Sequence, residues 1–311
     1  MKIFNSIQDF TSPTKTIVTL GTFDGVHKGH RSILNKLIAT GREAGCESLV
    51  LTFFPHPRMV LQQNVGIKLL STIQEKAQML DEYGLDNLVV HPFDHAFSRL
   101  TAEEFVKEIL VERLKVQKII IGHDHRFGRN RTANIDDLIR FGGEYGFEVE
   151  KISALAVNEV SVSSTKIRNA LGAGDVDTAN NYLGYPYFLS GIVVKGKQLG
   201  RTIGFPTANI FVKEDYKLIP HNGVYVVTAL IDGVVREGMM NIGMRPTVEG
   251  GTLSIEVHLL DLDKDLYGRE IRVNLHQRLR DEQKFASVEA LREQLLQDRE
   301  NTIAYFKMHK P

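Results

Sequence analysis

Short apolar runs alternate with amphipathic stretches through the first half of the chain, and this alternation stops near Tyr185. Apolar runs at 17–20, 48–54, 88–90, 116–121 and 147–152 read as strands. Between them, helical spacing is seen at 30–44 and 135–145, in a segment through Met79 and Leu80, and in one with Phe105, Ile109 and Leu110 on a single face. Two of these helices carry explicit start signals, Thr72 with Glu75 and Thr101 with Glu104, each the pair of a capping box. Strand–helix alternation at this spacing predicts a doubly wound, Rossmann-like parallel sheet with helices on both faces. Ligands of such sheets bind at the carboxyl ends of the strands. Beyond Tyr185, runs at 188–194, 224–231, 253–260 and 271–275 are rich in β-branched residues, and Asp232-Gly233 and Gly250-Gly251 supply turn signals. That half is expected to be an antiparallel β-barrel or sheet with a closing helix at 288–306. The domains are expected at 1–184 and 185–311, with a linker at 181–187 around Gly184 and Pro186; a length of 311 residues agrees with two domains.

The charges balance, with 38 Lys+Arg against 38 Asp+Glu. A chain whose main task is to coat nucleic acid carries a basic excess, because phosphate contacts drive that binding, so no nucleic-acid partner is expected. Hydrophobic residues at 42% supply material for two cores rather than a disordered chain. No apolar run approaches the roughly 20 residues of a membrane span. The segment 1–15 lacks the apolar core of a signal peptide. Cys46 is the single cysteine, which excludes an internal disulfide, and it reads as a small structural residue rather than a catalytic thiol. The expectation is a cytoplasmic protein with small-molecule partners and no membrane partner; nothing in the composition speaks to oligomeric state.

The string Gly21-Thr22-Phe23-Asp24-Gly25-Val26-His27-Lys28-Gly29-His30 follows the first long strand directly and opens a helix. Glycines there let the backbone approach a phosphate, and a helix N-terminus favours negative charge. His27 and His30, three apart, share a face and could stabilise charge on a departing pyrophosphate. A bare HxxH would read as a glycine-rich turn with incidental histidines; the strand–turn–helix context favours an anion site. Ser163-Ser164-Thr165-Lys166-Ile167-Arg168 places hydroxyls and cations at a helix start, which suits an anion or simply a capped helix with solvated charges.

In the second half, Gly200-Arg201-Thr202-Ile203-Gly204-Phe205-Pro206-Thr207-Ala208-Asn209 is the densest polar string. On an extended backbone Thr207 and Asn209 point the same way, and a hydroxyl with an amide oxygen suits Mg²⁺. By itself the string also reads as a turn between strands. Gly191 to Lys197 fits GxxxxGK, but a P-loop then needs Ser or Thr where this chain has Gln198. His91 and His95, or His123 and His125, lack the convergent ligands of a zinc site.

These strings, with Thr52-Phe53-Phe54-Pro55-His56-Pro57-Arg58 and Gly122-His123-Asp124-His125-Arg126-Phe127-Gly128, resemble in order the HxGH, TFxPHP, GxDFRFG and SSTxIR segments of a known adenylyltransferase module. GFPTAN, Gly223-Val224-Tyr225, Asn241 to Thr247, Glu256 to Asp261 and Leu279 to Phe285 resemble the PTAN, GVY, NIGxRPT, glutamate-bearing and LRxExxF segments of riboflavin kinase. The chain is thus similar, from Gly21 to Phe285, to the bacterial bifunctional riboflavin kinase/FAD synthetase family. The resemblance implies two ATP-dependent reactions, riboflavin to FMN and FMN to FAD, with Mg²⁺ as cofactor.

It also implies roles residue by residue. In the first half, Gly21, Phe23, Asp24, His27, His30, Asp124, Ser164, Thr165 and Arg168 would meet ATP, the two histidines catalytically. In the second, Gly196, Gly200, Arg201, Thr207 and Asn209 would meet ATP, with the 196–200 stretch as a flap and Thr207 and Asn209 on the metal. Glu256 would be the general base, although a lone glutamate in mid-strand otherwise reads as solvated. Phe54, His56, Phe127, Arg245 and Arg280 would lie on the flavin. Departures from the family pattern at Thr22, His125 and 130–133 bear on the shape of the flavin pocket. Two rivals remain at this level: an HxGH nucleotidylyltransferase for another phosphorylated metabolite, and a non-enzymatic flavin or nucleotide sensor. GFPTAN and Glu256 weigh against the first, while His27, His30, Thr207, Asn209 and Glu256 weigh against the second, because binding alone needs no general base; the neutral charge and short chain disfavour a class I aminoacyl-tRNA synthetase.

Overall fold

The computed structural model describes residues 1–62, 66–122, 126–152, 162–196, 199–247 and 250–309. By contacts among Cα atoms the chain divides into two compact units, Met1–Ser164 and Thr165–Pro311.

The first unit holds β1 (Lys2–Phe4), β2 (Thr16–Leu20), α1 (Lys28–Ala44), β3 (Glu47–Phe54), α2 (Pro57–Leu61), α3 (Ile73–Glu82) and β4 (Asn87–Pro92). There follow α4 (Ala102–Glu104), β5 (Val116–Gly122), α5 (Ile135–Tyr145) and β6 (Glu148–Ile152). All six strands pair in parallel, in the order β1-β4-β3-β2-β5-β6. The apolar runs are buried because a parallel sheet is covered by its crossover helices; β2 is buried along its whole length. From β2 the chain steps to β3 and β4 on one side and then to β5 and β6 on the other. The order therefore reverses between β2 and β5, and the crevice at that reversal is where such folds seat a ligand. The loop 21–27 lies at the carboxyl end of β2 and leads into α1.

Both expected capping boxes form. Thr72 accepts from the Glu75 amide at 3.0 Å while Glu75 accepts from the Thr72 amide at 2.9 Å, and Thr101 with Glu104 does the same. Beyond Glu104 the helix continues as a π-helix, Phe105–Arg113, which keeps Phe105, Ile109 and Leu110 in the core.

The second unit begins with α6 (Ser164–Ala173, whose first residue closes the first unit) and α7 (Val176–Leu183). Six strands then close a barrel in the order β10-β11-β8-β7-β12-β9. They are β7 (Phe188–Val194), β8 (Ala208–Phe211), β9 (Gly223–Ile231), β10 (Val234–Thr247), β11 (Gly250–Leu259) and β12 (Glu270–Arg280), with α8 (Leu199–Thr202) after β7 and α9 (Val288–Met308) at the end. Gly191, Ile192, Val193 and Val194 all lie inside β7, so the GxxxxGK string starts as strand and not as a phosphate loop. Asp232-Gly233 makes the β9–β10 hairpin, both residues at positive φ (53° and 78°), the backbone such tight turns require. Gly250-Gly251, expected as a turn, instead opens β11 opposite Thr247 and Pro246.

The stretch 181–187 is tied to the barrel. Asn180 donates to the Leu275 carbonyl at 2.9 Å and accepts from the Tyr187 amide at 2.7 Å, and the Tyr187 hydroxyl donates to Leu218 O at 2.7 Å. The contact-based division thus puts α6 and α7 with the barrel, whereas a boundary at 184/185 assigns them to the first half.

Candidate active sites

The loop 21–27 is strained and tightly held. Phe23 and Val26, both buried, have φ of 46° and 36°, a region that costs a non-glycine residue about 1–3 kcal/mol. Contacts with 70–76 hold it there. The Asp24 carboxylate accepts from the Leu70 amide at 2.9 Å and the Ser71 amide at 3.2 Å. The Gly25 amide donates to Ser71 Oγ at 3.3 Å, and Lys76 Nζ donates to the Thr22 carbonyl at 2.6 Å. Within the first unit, Ser164 Oγ donates to the Asp24 carbonyl at 3.0 Å, across 140 residues.

His27 is the N-cap of α1, and its Nδ1 accepts from the His30 amide. In the neutral ring the proton is therefore on Nε2. The two imidazoles stack at 3.6 Å between centroids, and Phe23 lies 4.9 Å from His30. Burial pushes the His27 pKa down to about 4, with Asp24 opposing. Burial, then the neighbouring His27 and Lys76, hold His30 well below the usual imidazole range. Both rings are thus neutral at pH 7, and His30 Nδ1 is buried with no hydrogen-bond partner among the described residues. A helix N-terminus, two neutral imidazoles and a buried ammonium are groups whose chemistry suits a polyphosphate.

The second cluster lies where β8 meets β11. Asn209 pairs with Glu256 across the ladder. The Glu256 carboxylate accepts from Ser254 Oγ at 3.0 Å and from Thr207 Oγ1 at 3.3 Å. Any Cβ at Gly196 would collide with the Asn209 amide, so the 196 backbone lies directly on that side chain. Gly200 accepts from the Phe205 amide at 2.8 Å, which folds the polar loop back on itself, and Arg201 is exposed on α8. Hydroxyl, amide oxygen and carboxylate are the hard oxygen donors that suit Mg²⁺ carried with phosphates.

The family model described as FAD synthetase matches residues 9–166, and the model described as riboflavin kinase matches residues 183–306. The bifunctional riboflavin kinase/FMN adenylyltransferase of Escherichia coli (strain K12) is 38% identical over the full length of both chains. The chain belongs to the bifunctional riboflavin kinase/FMN adenylyltransferase family. A relative of the same name from Pseudomonas fluorescens is 42% identical over 89% of this chain and 88% of that one. A crystal structure described as a macrolide-efflux protein from Streptococcus pneumoniae has a TM-score of 0.87 at 31% identity, over 97% of this chain and 98% of that one. Among the described residues here, no helix is long and apolar enough to cross a membrane.

The riboflavin kinase/FMN adenylyltransferase motifs are brought together unevenly. Gly21, Phe23, Asp24, His27, His30 and Ser164 converge on the β2 loop, while Thr165 and Arg168 follow on α6 in the second unit. Asp124 lies outside the described residues, as does the Arg245 side chain. Phe54 ends β3, and His56 caps α2 by accepting from the Arg58 amide at 3.1 Å. Phe127 is buried in the sheet's core, 6.0 Å from Phe105 between ring centroids. The Arg280 guanidinium grips the buried Asp298 carboxylate of α9, with bonds of 2.9 Å from Nε and 2.7 Å from Nη2. Its remaining nitrogen donates to Asp281 O at 3.0 Å.

Sequence reasoning passed over Lys76 and Ser254. Lys76 precedes Met79 and Leu80 by three and four residues, so a cation on the apolar stripe of α3 was the available signal. Ser254 stands two residues from Glu256, hence on the same strand face.

Proposed function

We propose that the two halves act in sequence on one flavin. The kinase half, 185–311, moves the γ-phosphoryl of ATP to the 5′-hydroxyl of riboflavin, giving FMN and ADP. The adenylyltransferase half, 1–184, then joins FMN to the AMP portion of a second ATP and releases pyrophosphate. A boundary at 184/185 is supported by the riboflavin kinase match, which begins nearby at residue 183.

In the kinase half Glu256 takes the proton of the ribityl hydroxyl as its oxygen attacks phosphorus, and Ser254 and Thr207 hold the carboxylate for that task. The single observation carrying this reading is that Glu256, Thr207 and Asn209 meet at one place on the barrel. Thr207 and Asn209 would hold Mg²⁺, which neutralises phosphate charge when bound. Gly196, Gly200 and Arg201 flank the ATP, and Arg245 and Arg280 belong to the riboflavin end.

In the adenylyltransferase half the FMN phosphate is itself the nucleophile on the α-phosphorus, so no covalent enzyme intermediate is needed. His27, His30, Ser164, Thr165 and Arg168 stabilise the leaving pyrophosphate, and Gly21, Phe23, Asp24 and Asp124 bound the nucleotide. The flavin of FMN is assigned to Phe54 at the end of β3, His56 at the start of α2, and Phe127. The same reading makes the chain a cytoplasmic enzyme of small molecules, with ATP–Mg²⁺ as cosubstrate.

The test is incubation of the purified chain with riboflavin and ATP–Mg²⁺, with flavins followed by chromatography. FMN and then FAD should appear; riboflavin persisting alone overturns the reading.

A further inference from the structure

The β8–β11 ladder pairs Asn209 with Glu256 and Ala208 with Val257, and then stops. The chain before Ala208 runs through Pro206, which has no N–H to continue a ladder. The Pro206 carbonyl instead accepts a hydrogen bond of 2.8 Å from His258 Nδ1. A carbonyl can only accept, so Nδ1 carries the proton. The His258 ring also meets the buried Phe205 edge-on, 5.2 Å between centroids. His258 stands two residues after Glu256 and four after Ser254, so all three share one face of β11.

The next residue in the loop is Thr207, whose hydroxyl donates to Glu256. The loop and the strand of the kinase site are 52 residues apart at this join. We propose that His258 is a positioning residue for phosphoryl transfer: it fastens the 205–207 loop to the strand that carries Glu256 and so sets Thr207 against the general base. The inference rests on the kinase reading above. Burial lowers the His258 pKa, and since the Nδ1 proton is present in the cation as well as in this neutral tautomer, the bond survives acidification.

An asparagine amide can place its N–H near the position of a histidine Nδ1, whereas a glutamine amide reaches toward Nε2. This gives a test that separates the bond from mere bulk. Riboflavin phosphorylation and adenylylation of supplied FMN are measured on the same samples of full-length wild type, His258→Ala, His258→Asn and His258→Gln. Adenylylation serves as the internal measure of folded enzyme. The expected result is that His258→Ala lowers kinase kcat, relative to adenylylation, by about 10- to 100-fold, the scale of an ångström of misplacement, with the riboflavin KM little changed. His258→Asn should recover most of that loss and His258→Gln should not. A kinase-to-adenylylation ratio unchanged in His258→Ala, or equal ratios for the Asn and Gln variants, overturns the proposal. Wild type that forms no FMN at all would instead overturn the kinase reading.

Discussion

The imidazole rings of His27 and His30 stack 3.6 Å apart with their planes only 16° from parallel. Two imidazolium ions would repel in that geometry, and burial already holds both rings neutral. A histidine whose folded pKa is depressed contributes stability above its unfolded value, near 6.5, and that stability is lost as pH falls toward the folded value. For His27 the window runs from about 6.5 down to about 4. Denaturant unfolding of the first unit should show stability falling through that window, by on the order of 3 kcal/mol for His27. In His27→Ala the slope should be shallower.

The two active sites should be separable by mutation. Glu256→Gln should lower FMN formation by about 10²- to 10⁴-fold, the range of general-base catalysis, while FAD still forms from supplied FMN. His30→Ala should lower FAD formation by about 100-fold or more and let FMN accumulate. Chromatography of the flavins checks both. Loss of the two activities together in either variant would contradict the two-site assignment.

Lys76 is buried, with its ammonium on the Thr22 carbonyl. Burial pushes its pKa down to about 8, with Asp24 opposing. It is a cation below that pH and a neutral amine above it. If its charge supports the polyphosphate, adenylylation should decline as pH rises through about 8. Lys76→Met should have lower activity at pH 7 and lack that alkaline step. A pH profile of FAD formation from FMN measures this.

Gly196 touches the Asn209 amide with its backbone. Gly196→Ala should push Asn209 aside and lower kinase kcat/KM for ATP by about tenfold or more, the scale of a misplaced substrate-binding group, leaving adenylylation intact. Asn209 is buried at the β8–β11 pairing, so displacing its amide disturbs the place where it meets Glu256.

Arg280, partly exposed, pairs with the buried carboxylate of Asp298. Asp298→Ala removes the carboxylate partner of a partly exposed guanidinium and should destabilise the second unit by about 1–3 kcal/mol, read by urea unfolding. Replacing both partners with apolar residues should recover much of that loss. A double-mutant cycle on stability, run beside the riboflavin KM of Arg280→Lys, separates this packing role from a flavin contact.

Several local features were plain in the amino-acid string. Thr72 with Glu75 and Thr101 with Glu104 form the expected capping boxes, because both partners lie within one turn. Asp232-Gly233 turns as expected, because its φ values are a property of those two residues. The long strand β10 was not legible. Arg236, Glu237, Gly238 and Gly243 break its apolar alternation, and the reason lies elsewhere in the fold. A side chain at Gly238 would press on the His258 carbonyl, and one at Gly243 would collide with the Glu282 carboxylate.

By itself the sequence determined the alternation that builds the parallel sheet, the β-rich second half, the helix caps and the glycine–histidine loop after β2. Each depends on residues a few positions apart, where backbone geometry sets the contact. Tertiary structure alone decided that Lys76 would lie under Thr22, that Ser164 would reach the Asp24 carbonyl, and that His258 would take over from a ladder ended by proline. Those pairs are separated by 54, 140 and 52 residues. Nothing in their own neighbourhoods selects the partner; the register of the strands and the burial of the groups do.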